Sequence, residues 1–122
     1  MKIENTFTAT IYVSAKEHYD GITHTYQETE QICQKYLDKI YQYKQHLGLT
    51  ITPTNFLYRN GGENGFIIGL INYPRFPSSD EEITRKAIEI AKMFLNKFSQ
   101  YRISVVTSNC TYLIDKSDIK AK

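Results

Sequence analysis

Tryptophan is absent from this 122-residue chain, and it holds only two cysteines, three prolines and six glycines. Each scarcity excludes something. Two cysteines, Cys33 and Cys110, with no CxxC spacing cannot staple a disulfide scaffold or build a cysteine-rich zinc module. Little proline and glycine leaves no linker and no low-complexity tract, and no repeat of solenoid length is present. No apolar run approaches the ~18 residues of a membrane span. Met1 to Thr6 lack the apolar heart of a signal peptide, so the expected location is cytoplasmic, with reduced thiols and no membrane partner. Charge of one sign is missing too. Fifteen Lys and Arg against thirteen Asp and Glu give a net +2, scattered along the chain. Nothing is dense enough to neutralise a row of phosphates, and nucleic acid is not an expected partner.

What is present is ordinary except in one respect. Hydrophobic residues at 41% and charged residues at 23% fit one globular domain, expected over 1–114 with a tail at 115–122. Ten tyrosines and six phenylalanines are the excess.

Along the chain, Phe7, Ala9, Ile11 and Val13 alternate with Thr8, Thr10, Tyr12 and Ser14, which is a strand with one apolar face. A loop leads to a helix that can start on a Thr25–Glu28 capping box. Its apolar stripe is Thr29, Cys33, Tyr36, Leu37, Ile40, Tyr43 and Leu47, and Gly48 is the expected stop. Leu49 to Tyr58 form a strand whose Pro53 belongs at an edge or a bulge. A turn over Arg59 to Gly65 returns it as Phe66 to Tyr73, apolar on both faces and therefore central. Ser79 and Glu82 cap a second helix, with a stripe from Ile83 through Phe98. A last strand starts near Arg102, and Cys110 to Ile114 either continue it or add a short fifth.

The order β-α-β-β-α-β is the split βαβ pattern of a ferredoxin-like α+β sandwich, a four-stranded antiparallel sheet with both helices on one face. The other face stays open and carries Thr8, Thr10, Tyr12, Ser14, Thr50, Thr52, Thr54, Phe56 and Tyr58. Tyr12, Phe56 and Tyr58 make that face greasy enough to expect a homo-oligomer interface there.

Chemistry-bearing clusters are few. Lys16, His18, Tyr19, Thr23, His24 and Thr25 surround the start of the first helix, where free N–H groups favour an anion. Tyr73, Arg75 and Phe76 lie on a proline-stiffened connection where Arg could pair and the rings could stack. Together these residues suggest one pocket for a small, planar, anionic ligand such as a nucleotide-derived signal. No HxH, HExxH, GxSxG or phosphate-cradling GxxxxGK occurs, so no metal or cofactor is called for. The expectation is a non-enzymatic binder. Alternatives are a protein–protein inhibitor or adaptor using the open face, and a small enzyme built on His18 or His24.

Two resemblances bear on this. Ile11-Tyr12-Val13 resembles the shorter signature of RNA-recognition motifs, which share the topology, but Gly65-Phe66-Ile67-Ile68-Gly69 keeps only the glycine and one aromatic of the longer signature. Eleven Lys to four Arg and fifteen Ile are the usage of an AT-rich genome. In that style the chain resembles small phage or mobile-element accessory proteins, including ones that sequester nucleotide signals or block defence proteins. That resemblance implies an anti-defence setting.

Overall fold

The computed structural model describes residues 1–17, 21–74 and 77–119. Alternation in the first strand works as expected: β1 (Ala9–Ser14) buries Ala9, Ile11 and Val13 and turns Tyr12 outward. Helix α1 (Tyr26–Tyr41) starts on the Thr25–Glu28 capping box, and α2 (Asp80–Lys97) starts on Ser79–Glu82. Between them run β2 (Gly48–Tyr58) and β3 (Gly61–Ile71); β4 (Arg102–Thr107) and β5 (Thr111–Asp115) close the chain.

The strands lie in the order β2-β3-β1-β4-β5, all neighbours antiparallel. This is the ferredoxin-like α+β arrangement with a fifth strand added beside β4, which settles the status of residues 110–114. β2 is an edge strand, so Pro53 sits where a missing N–H disturbs no inner ladder. Both helices pack on one face. Ile32, Cys33, Tyr36 and Ile40 of α1 and Ile83, Ile90, Phe94 and Leu95 of α2 meet Ile11, Val13, Ile68 and Val105 of the sheet. Tyr36 donates to Glu89 Oε1 at 2.6 Å and ties the helices together; burial holds its phenol well above the ordinary range.

Three expectations are corrected here. The first helix is shorter than its stripe suggested. It ends at Tyr41, the chain passes through Lys44 at φ 59°, and Tyr43 is 71% exposed. Gly48 is therefore no helix stop. It opens β2 beneath the Tyr73 ring, where a Cβ would lie 2.7 Å from a ring carbon. The hairpin turn is only Arg59-Asn60, because Gly61 to Gly65 already pair with Thr54 to Tyr58. Lastly, the fold does not stop at residue 114: a 3-10 turn (Lys116–Asp118) follows β5, and Ile119 packs against the core. Among the described residues, no helix is long and apolar enough to cross a membrane.

Candidate functional site

The sheet face opposite the helices carries one row across all five strands: Leu113, Ser104, Tyr12, Ile67 and Thr52. Towards the β2–β3 turn this face deepens into a groove of about 740 Å³, within the usual range for small-molecule sites. Tyr12, Ser14 and Lys16 form its floor, Phe56, Tyr58, Gly62 and Glu63 one wall, and Gln100 to Ser104 with Leu113 the other. Glu63 is the sole carboxylate among these lining residues.

The local sequence explains each placement. β2 and β3 outrun β1, so the hairpin carries Phe56 and Glu63 as direct cross-strand partners beyond the Ser14–Gly65 pair. Phe56 then folds back over Gly65, where a Cβ would come within 2.2 Å of its ring and 2.5 Å of the Val13 carbonyl. Glycine is the residue that leaves this room. The Phe56 ring meets Tyr12 edge-on, centroids 6.3 Å apart at 63°. Glu63 is fixed by two donors: the Ser14 hydroxyl to Oε2, and the Tyr58 hydroxyl to Oε1 at 3.0 Å. The bond to Glu63 is also the main cause that raises the Tyr58 phenol above its ordinary value. The Gln100 amide donates to the Lys16 carbonyl at 2.7 Å and anchors the floor. On the far wall, Lys116 Nζ stands 5.5 Å from the Tyr101 ring centroid, a cation–π contact.

This arrangement offers aromatic faces for a planar group and one held anion for a cation. Among the described residues no cluster of His, Cys, Asp and Glu could hold a metal. Both cysteines are free, and burial pushes the Cys33 thiol up to about 12, so it is no nucleophile at neutral pH.

The residues singled out from sequence scatter. Tyr12, Phe56 and Tyr58 do come together, and Lys16 joins them. His18, Tyr19, Arg75 and Phe76 lie outside the described residues. Thr23 bridges Lys16, and Thr25 is spent as the helix cap. His24 is 6% exposed, its ring stacked on Phe98 at 4.0 Å, with Nδ1 3.0 Å from Glu28 and Nε2 3.1 Å from Glu17. Those acids already occupy the surroundings of the α1 start, which removes the case for an anion there. Tyr73 is at the opposite end of the sheet, eight residues past Gly65 on the same strand and its extension, or about 25 Å at ~3.3 Å per residue. The expected two-part pocket is therefore not one pocket. Glu63 escapes the sequence pattern because the residues around it have turn composition although they pair as strand. Counting back in twos from Gly65 through the glycines puts it on the open face.

No protein-family model matches the sequence, and no curated protein matches it. Solved structures do share the fold. A phage SAM lyase in complex with S-methyl-5'-thioadenosine superposes with a TM-score of 0.63 at 20% identity, covering 91% of this chain and 90% of that one. A phage SAM lyase in its apo state gives 0.64 at 18% identity, covering 94% and 96%. These neighbours are phage proteins, in keeping with the resemblance to phage accessory proteins, and one of them holds a small ligand. They are also enzymes, and this corrects the main functional expectation. The reading as a non-enzymatic binder gives way to the small-enzyme alternative, although His24, one of the two histidines named for it, is buried in a structural contact.

Proposed function

We propose that this chain is a SAM lyase and that the groove around Glu63 is its active site. The observation that carries the reading is the sharing of one fold with the phage SAM lyase over nine-tenths of both chains. The groove supplies fitting chemistry. SAM is a sulfonium cation attached to an adenosine, not the anion first expected. Aromatic rings such as Tyr12, Phe56 and Tyr58 attract a sulfonium and stack a base, and Glu63 offsets the positive charge.

The step proposed breaks the bond between sulfur and Cγ of the amino-acid tail. The bonding pair goes to sulfur and leaves neutral S-methyl-5'-thioadenosine. The substrate's own carboxylate oxygen bonds to Cγ and closes a lactone, so no water and no proton donor is consumed. Both oxygens of Glu63 already accept hydrogen bonds, which sets it to hold charge in place rather than to take a proton. A groove shielded from bulk water strengthens that hold.

Shielding bears on oligomerisation. The groove is open, and Tyr12 and Tyr58 remain 39% and 62% exposed. A second copy packed on this face would cover it, which is the form the expected homo-oligomer takes in this proposal. Removal of a methyl donor is likewise the form of the anti-defence setting.

The test is to incubate the purified protein with SAM and follow S-methyl-5'-thioadenosine and homoserine lactone by chromatography and mass spectrometry. Stoichiometric appearance of both supports the proposal. Intact SAM after prolonged incubation with folded protein overturns it. Light scattering on the same sample checks for an oligomer.

A further inference from the structure

The charges lining the groove are segregated. Glu63 stands on β3, next to the wall of β2 aromatics, whereas Arg102 stands on β4, with β1 between them. Two strand spacings separate these ladders, about 10 Å. Lys16 extends from the end of β1 between the two. Among the described residues, neither Arg102 nor Lys16 makes a side-chain hydrogen bond or ion pair. Arg102 faces Asp115 across the β4–β5 ladder and acts on it only through its field, as one of the causes that hold the Asp115 carboxyl low. The largest cause there is the hydrogen bond from the Ser117 hydroxyl, so Asp115 is engaged elsewhere.

A groove with an anion on one side and unspent cations on the other is matched to a ligand with the reverse order of charge. We infer that Arg102 is a specificity residue that binds the α-carboxylate of the substrate tail, with Lys16 adding to the positive field. The inference rests on the SAM lyase reading. With the nucleoside against Tyr12 and Phe56 and the sulfonium beside Glu63, the tail runs across β1 towards β4. Its carboxylate then comes within the span of an arginine side chain. The forked N–H donors of a guanidinium can hold one carboxylate oxygen and leave the other free to close on Cγ, a directed geometry that an ammonium cannot copy. The groove so built favours an intact amino-acid tail and holds adenosyl thioethers or sulfoniums that lack the carboxylate more weakly.

Titration calorimetry tests this without turnover, using three uncharged-sulfur ligands. S-adenosylhomocysteine carries the full tail, its decarboxylated analogue carries only the amine, and S-methyl-5'-thioadenosine has no tail. Wild-type protein should bind the full tail about 10- to 100-fold more tightly than the decarboxylated one. Arg102→Ala should erase that preference and leave S-methyl-5'-thioadenosine affinity unchanged; Arg102→Lys should restore a fraction of it. Equal affinity of the wild type for the two tailed ligands overturns the inference, and so does an Arg102→Ala loss shared by all three. Failure of the wild type to bind any of the three strikes the lyase reading itself, and is distinguishable because the preference then has nothing to act on.

Discussion

The surroundings of His24 and of Glu63 hold the same kinds of residue put to opposite uses. At His24, an imidazole, two carboxylates and an aromatic ring satisfy one another, and the histidine is buried. At Glu63, a carboxylate and aromatic rings face an open groove, and the partners of Glu63 orient it without covering it. Residue type alone does not mark a site. What marks it is polar capacity that the chain prepares and then leaves unspent.

The sharpest way to break this comparison is to exchange the consequences. Glu63→Gln keeps the shape and removes the charge. It should lower turnover of SAM by about 10²- to 10³-fold, the scale seen when one preorganised electrostatic contact is lost. Circular dichroism and melting temperature should scarcely move. An active Glu63→Gln variant would remove the groove from the mechanism.

His24→Ala should do the reverse. Losing the ring stacked on Phe98 leaves a cavity between the loop before α1 and the end of α2. The expected cost is about 2–3 kcal/mol by chemical denaturation, dominated by packing, because the facing carboxylates of Glu17 and Glu28 are partly wet. Turnover of the remaining folded protein should be near that of the wild type. Should turnover collapse while stability holds, His24 would belong to the chemistry after all.

A smaller effect separates holding from acting. Tyr58→Phe removes one of the two donors to Glu63 and should reduce turnover about fivefold to tenfold, by the ~1 kcal/mol of such a bond. Its phenol is raised by that bond, so the contact is present at neutral pH and is lost as pH climbs through the folded value. The wild type should therefore lose this advantage at strongly alkaline pH, and the variant should not.

The mildest prediction is for acid. The Glu28 carboxyl lies below its ordinary value of 4.5, first through the bond with His24 and next through the Thr25 N–H. A depressed folded value means that its stabilisation is complete above 4.5 and fades as pH falls below. Melting temperature should drop on acidification through that window, and Glu28→Gln should flatten part of the drop.

Much of the fold was legible because local chemistry and global packing agree. Both capping boxes, the Pro53 edge and the apolar faces of β1 and α2 follow directly from spacing. Misreadings arose where one residue type serves two ends. Gly48 suits a helix stop as well as a strand start under Tyr73, and only tertiary packing decides. The run Gly61-Gly62-Glu63-Asn64-Gly65 has turn composition but sheet pairing. The site was half legible. Tyr12, Phe56 and Tyr58 stood out as an unpartnered aromatic face, but Arg102 and Glu63 gain meaning only when the strand order places β1 between them.

The empty space above Gly65 ties two positions that are nine residues apart in sequence and on different strands. Phe56 can keep its tilt only while residue 65 lacks a side chain, and a smaller residue at 56 lifts that demand on one side only, because the Val13 carbonyl still crowds the spot. In a set of homologous sequences the pair should thus vary asymmetrically: glycine at 65 persisting through changes at 56, and an aromatic at 56 never found without it.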